Sequence, residues 1–259
     1  MNLRVTIVQT ELHWQDAEVN RKMFAEKLAA ANPQTDLIVL PEMFTTGFSM
    51  NAAELAEGPA GETLRWMQKM AATYTAVITG SLIVKEDGNF YNRLYWVRPD
   101  GTFEQYDKKH LFRMAKEHDV YTSGKQKVAV ELKGWKILPL VCYDLRFPVW
   151  SRNTANAYDL LLYVANWPKA RNLAWSTLLQ ARAIENIAYC IGVNRIGTDG
   201  NGHPYSGDSA IIHPKGHKLL ETTEQEGIHT ITLSKQELLE FREIFPAHLD
   251  ADAFSLDSE

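Results

Sequence analysis

Leu138-Pro139-Leu140-Val141-Cys142-Tyr143-Asp144-Leu145-Arg146-Phe147-Pro148 places a cysteine where an apolar run gives way to polar residues. From Trp135 to Cys142 only Lys136 interrupts the apolar character, the pattern of a strand buried on both faces, as in sheets covered by helices. A helix is expected from about Phe147. A thiol at such a strand end is open to two influences that lower its pKa from ~8.5, a helix N-terminus and a nearby lysine. Interior cysteines are more often plain small hydrophobes. Cys190, in Ile187-Ala188-Tyr189-Cys190-Ile191, fits that bland description, whereas Cys142 is followed at once by polar residues.

Outward from this stretch, the same unit recurs: a compact apolar strand and then a helical segment. Strands are expected at 3–8, 37–40, 76–84 and 91–97 in the first half, and at 135–142, 160–165, 189–195, 209–212 and 228–233 in the second. Helices are expected at 19–31, around Leu64, Met67, Ala71 and Tyr74, at 172–188, and around Leu238, Phe241 and Phe245 up to Pro246. Alternating strands and amphipathic helices define an α/β protein. The hairpin-like 76–97 argues against a purely parallel sheet.

Two further segments deliver a reactive side chain from a buried strand. In Leu37-Ile38-Val39-Leu40-Pro41-Glu42-Met43-Phe44 a carboxylate emerges among Met43, Phe44 and Phe48. Buried there, it must find a partner or take up a proton; a salt bridge or helix cap would satisfy it equally well. In Tyr106-Asp107-Lys108-Lys109-His110-Leu111-Phe112 the two lysines face opposite ways if the chain is extended, so one can point inward. Alone, a lysine pair is more often a solvated surface feature.

The stretches 40–44, 108–112 and 142–148 together resemble the three signature motifs of the nitrilase superfamily, the carbon-nitrogen hydrolases, in the family's order and spacing. Val164-Ala165-Asn166-Trp167-Pro168 and Gln180-Ala181-Arg182-Ala183-Ile184-Glu185-Asn186 extend the likeness, which runs from Val5 to about Phe245 and is nearest to bacterial omega-amidases of the 2-oxoglutaramate amidase type. The resemblance implies a four-layer α-β-β-α sandwich, one domain over 1–246 and an acidic tail at 247–259. It implies Cys142 as nucleophile, Glu42 as general base, Lys108 and the Tyr143 backbone N–H as oxyanion donors, and Glu117 as support for Lys108. Only motif register separates Lys108 from Lys109. The implied substrate is a short amide with a distal carboxylate, with a carbamoyl amine or a nitrile as alternatives on the same triad. Phe44, Tyr143, Asn166 and Trp167 could wall its pocket, and Arg171 or Arg113 could bind its carboxylate. Asp144, Arg146 and Glu185 read as structural: Asp144 as a cap of the coming helix, Arg146 as the partner of a buried acid, with His110 packing near Lys108. Family members commonly pair through the helices after the nucleophile and Asn166 strands, so a homodimer is expected, with Trp150, Trp167 and Trp175 as candidate contacts.

Composition narrows the field. The chain has 259 residues and a net charge of −5, with no basic run to bind nucleic acid. Its apolar runs, such as 37–40 and 137–142, are too short to span a membrane. Two cysteines in no metal or redox spacing, and no leader-like N-terminus, suggest a cytoplasmic protein with free thiols. The eight histidines form no paired metal motif, and no cofactor is implied. Two rivals remain: a Cys–His thiol hydrolase using His110 or His203, and a catalytically silent scaffold.

Overall fold

The computed structural model describes residues 1–256. In chain order its first half holds β1 (Asn2–Gln9), α1 (Ala17–Ala31), β2 (Leu37–Val39), α2 (Ala52–Leu55), α3 (Glu62–Tyr74), β3 (Val77–Glu86), β4 (Asn89–Val97), β5 (Phe103–Asp107) and α4 (Glu117–Val120). The second half holds β6 (Val130–Leu132), β7 (Trp135–Val141), α5 (Pro148–Ser151), β8 (Leu160–Val164), α6 (Asn172–Asn186), β9 (Tyr189–Val193), β10 (Ile196–Thr198), β11 (Pro204–Ile212), β12 (Lys218–Thr223), β13 (Gly227–Ser234) and α7 (Lys235–Ile244).

The strands form two sheets. One has the order β13-β1-β2-β3-β4-β5, and the other β10-β11-β9-β8-β7-β6 with β12 paired to β11. Each has a parallel centre, β1-β2-β3 in the first and β7-β8-β9 in the second, flanked by antiparallel strands. Strand alternation explains the layering. Leu3, Val5, Ile7, Leu37, Val39, Leu94 and Trp96 join one apolar cluster with the second sheet, while their neighbours Val8, Ile38, Tyr95 and Val97 face a cluster with Phe24 and Leu28 of α1 and Leu64 and Met67 of α3. On the far side, Trp175, Leu179 and Ala183 of α6 cover the second sheet. The result is the expected α-β-β-α sandwich.

The helix expected from about Phe147 is present but brief: a 3-10 turn, Cys142–Arg146, leads into the single turn of α5, where Pro148 opens the helix and Arg152 leaves it in extended conformation. One local expectation needs correction. The three tryptophans suggested for a dimer contact are buried within the protomer, Trp150 and Trp167 nearly so and Trp175 fully, so the apolar core claims them. Beyond Phe245 the chain makes a short 3-10 turn, Ala247–Leu249, and continues exposed to residue 256; the last part of the expected acidic tail, 257–259, lies outside the described residues. No helix among the described residues is long and apolar enough to cross a membrane.

Candidate active site

Glu42, Lys108, Glu117 and Cys142 come from four separate segments and meet at the seam of the two sheets. Glu42 follows β2, and the turn after it is tied to β3: the Met43 N–H donates to Ser81 Oγ at 2.9 Å and the Phe44 N–H to Ser81 O at 3.1 Å. Lys108 follows β5, its N–H held by Asn92 O on β4 at 3.0 Å. Glu117 opens α4, and Cys142 follows β7. Met43 and Cys142 both adopt left-handed backbone, with φ of 41° and 44°. That region is unfavourable for residues other than glycine and recurs where a side chain must be aimed at a site.

Lys108 is 1% exposed, and Glu42 and Glu117 are closed to solvent. Lys108 Nζ donates to Glu42 Oε1 at 2.9 Å and to both Glu117 oxygens at 3.0 Å. Asn92 Nδ2 also bridges the two acids, at 2.8 Å from Glu42 Oε1 and 3.3 Å from Glu117 Oε1. Glu42 Oε2 accepts the Asn166 N–H at 2.8 Å, and the Phe112 N–H donates to Glu117 Oε2. Burial works against the Lys108 charge, but Glu117 and Glu42 outweigh it and hold the ammonium above its ordinary range. Glu117 is shifted up, by burial first, with Lys108 pulling against it.

The thiol departs from expectation. Burial, and then the Glu42 carboxylate beside it, push Cys142 well above the usual thiol range, while Lys108 pulls it down too weakly to compensate. The resting group is therefore a thiol, and a base must take its proton as it reacts. Cys190 is also shifted up by burial and lies in the core.

Above the cluster opens a cavity of about 460 Å³, the size of a small-molecule site. Cys142, Lys108 and Asn166 lie in its lining with Tyr143 and Trp167. Arg171 lines it too, its guanidinium 5.1 Å from the Phe112 ring centroid. Phe44 does not: it is fully buried against Phe24 and Trp66 under the helical layer, because the turn that follows β2, with Met43 in left-handed backbone, carries it away from the seam. Phe48, 5.1 Å from Lys108 Nζ, lines the cavity in its place. Arg113 is not a lining residue. Arg146, expected to pair with a buried acid, is exposed, lies over the Trp167 ring at 5.0 Å and lines the cavity.

Lys109 lies 5.7 Å from the Trp150 ring, away from the acids, so Lys108 is the inward lysine. His110 does not line the cavity; its Nδ1 is 2.7 Å from Asp144 Oδ1. His203 does line it. Glu185 pairs with Arg182 at 2.9 Å, a structural contact as expected. Asn92 escaped the sequence reading; the signal was the polar pair Asn92-Arg93 inside a run that is otherwise aromatic and aliphatic from Phe90 to Val97. Among the described residues, no group of three or more His, Cys, Asp or Glu side chains is arranged to hold a metal ion.

Residues 4–243 match the family model described as carbon-nitrogen hydrolase, and the chain belongs to that family. It is 50% identical over 258 residues to an omega-amidase of Escherichia coli, YafV, covering 98% of each chain. A 2-oxoglutaramate amidase of Bacillus subtilis is 32% identical over 254 residues, covering 96% of this chain and 98% of that one. A CN-hydrolase superfamily protein of Xanthomonas campestris, whose crystal structure has an arsenic adduct in the active site, superposes with a TM-score of 0.97 at 46% identity, covering 99% of this chain and 100% of that one.

Proposed function

We propose that this carbon-nitrogen hydrolase cleaves the ω-amide of a short dicarboxylate, of the 2-oxoglutaramate or 2-oxosuccinamate type, through a thioester on Cys142. One observation carries the reading: Lys108 is locked between Glu42 and Glu117 on the floor of a cavity that also holds Cys142 and, on its wall, Arg146 and Arg171. The names of the relatives described above support the same substrate class.

Cys142 Sγ attacks the amide carbonyl while Glu42 takes the thiol proton. Charge collects on the carbonyl oxygen, where the Lys108 ammonium and the Tyr143 N–H stabilise it. The Tyr143 amide suits that role because the first N–H groups of a helical turn lack partners within it. The tetrahedral species collapses as Glu42 returns its proton to the nitrogen, and ammonia leaves. A water then gives a proton to Glu42 and attacks the thioester. Collapse expels the Cys142 sulfur, which recovers its proton, and the second carboxylate is released. Arg146 and Arg171 bind the distal carboxylate, a pairing that guanidinium geometry favours.

Released ammonia across a substrate panel tests this reading: 2-oxoglutaramate, succinamate, glutaramate, N-carbamoyl-β-alanine and an aliphatic nitrile. Highest kcat/KM is expected on the carboxylate-bearing primary amides. Preference for the carbamoyl compound or the nitrile would keep the triad and sink the ω-amide assignment. Equal rates on amides without a carboxylate would show that the arginines bind no carboxylate.

A further inference from the structure

Behind the reactive cluster lies another buried carboxylate, Asp144, two residues after the nucleophile and fully closed to solvent. Its Oδ1 accepts the His110 backbone N–H at 3.0 Å and lies 2.7 Å from His110 Nδ1. Its Oδ2 accepts Tyr106 OH at 2.8 Å and the Val141 N–H at 3.1 Å. A carboxylate only accepts, so Nδ1 carries the ring proton. The imidazole is fixed from the other side by stacking on Phe147, with centroids 3.7 Å apart and planes 6° from parallel. Tyr106 OH in turn accepts Trp150 Nε1 at 3.1 Å and the Lys109 N–H at 3.2 Å. Neither Asp144 nor His110 lines the cavity, so neither can touch the substrate.

The donors from Tyr106 and His110 bracket Lys108, which hangs from the edge strand of the first sheet. Asp144 sits in the 3-10 turn that follows β7 of the second sheet and presents Cys142 and the Tyr143 N–H. The two proposed oxyanion donors therefore belong to different sheets, and both must reach one oxygen. Face-to-face sheet packing is apolar and weakly directional, while oxyanion geometry is demanding: a misplacement of about 1 Å can cost on the order of 10²-fold in rate. Asp144 joins the two segments by directional, charge-assisted hydrogen bonds.

We propose that the Asp144–His110 pair is a positioning device that holds Lys108 Nζ and the Tyr143 N–H in register across the two sheets. This rests on the catalytic roles proposed above for Cys142 and Lys108. The pair takes no proton from the substrate; it sets the distance between the two halves of the oxyanion site.

Three variants test it. His110→Phe keeps the stack on Phe147 and deletes the donor. His110→Asn restores a donor where Nδ1 stood. Tyr106→Phe removes a hydroxyl from the opposite oxygen of the same carboxylate. His110→Phe is expected to lose at least about tenfold in kcat on the best primary amide, with KM changed less than about threefold. His110→Asn should recover most of that loss, and Tyr106→Phe should show the same split at smaller size. Alkylation of Cys142 by iodoacetamide, in which the sulfur displaces iodide from a saturated carbon and no carbonyl oxyanion forms, should stay within about threefold of wild type in all three. Unchanged kcat in His110→Phe would overturn the proposal. So would alkylation falling in step with kcat, or an Asn variant no better than Phe. Cys142→Ala in the same assay separates the two levels. Ammonia release at the wild-type rate there would remove the catalytic reading itself. A dead Cys142→Ala beside a fully active His110→Phe would remove only the positioning role.

Discussion

Glu42, Lys108 and Glu117 place two carboxylates and one ammonium in a space closed to solvent, an excess of one acid before the thiol is counted. A thiolate at Cys142 would add a further negative charge, which is why burial and Glu42 together raise its pKa. The site therefore stores no free nucleophile; it keeps a base beside a neutral thiol and a cation where the substrate oxygen will become negative. Glu117 bears the cost. Its pKa is raised, so its ionised form destabilises the folded chain at neutral pH, and that loss is recovered as pH falls through the raised value. Glu117→Gln leaves one ammonium facing one carboxylate, a balanced pair. The variant should keep or raise Tm near pH 7.5, and its advantage over wild type should shrink as pH is lowered. It should also lose about tenfold or more in kcat, because Lys108 has lost one of its two acidic anchors. Thermal unfolding at several pH values, run beside ammonia release, checks both. A large fall in Tm at neutral pH would mean that Glu117 stabilises the fold.

At the scale of elements, what the sequence made legible follows from burial. The strands around Ile38, Leu140, Leu162 and Ile191 are apolar on consecutive positions, and β1 alternates Leu3, Val5 and Ile7 with polar neighbours; all stand at the sheet centres, so each was readable from its own residues. Strands β5, β6, β10 and β12 were not foreseen. They are short or polar strands, and β5, β6 and β10 close sheet edges, where solvent on one side removes the apolar signal. The same logic governs the site. Glu42, Lys108 and Cys142 were legible because each follows a strand inside a known motif. Phe44 was misassigned because proximity in sequence to Glu42 does not say where a side chain goes once the strand has ended: the turn after β2, with Met43 in left-handed backbone, sends Glu42 to the seam and Phe44 under the helices. Arg146 was misread for a related reason. The 3-10 turn that precedes α5 swings it out over Trp167 rather than inward to an acid. Asn92 had no motif to mark it, although its amide joins both glutamates.

For the whole molecule, the seam between the sheets is where the chemistry is assembled, since neither sheet carries both the acids and the thiol. Two parallel three-strand centres face each other, and the loops at their ends supply Glu42, Cys142 and Asn166. We propose further that the protein is a homodimer joined through α5 and α6. Val149, Leu173 and Ile184 are 50%, 77% and 55% exposed there, and Leu173 and Ile184 stand three helical turns apart on one face of α6. Sedimentation at micromolar concentration should give twice the chain mass, and Leu173→Glu with Ile184→Glu should give the single mass with the fold intact. A wild-type monomer would remove the interface.

The central claim is that amide cleavage passes through a thioester on Cys142, and mass spectrometry during turnover tests it most directly. Enzyme mixed with a saturating ω-amide and quenched in acid within the first turnovers is digested and mapped. The account predicts that the peptide bearing Cys142 gains the mass of the acyl group, that the peptide bearing Cys190 does not, and that Cys142→Ala shows neither adduct nor ammonia. Ammonia released at the wild-type rate by Cys142→Ala, with no acylated peptide in either enzyme, would contradict it.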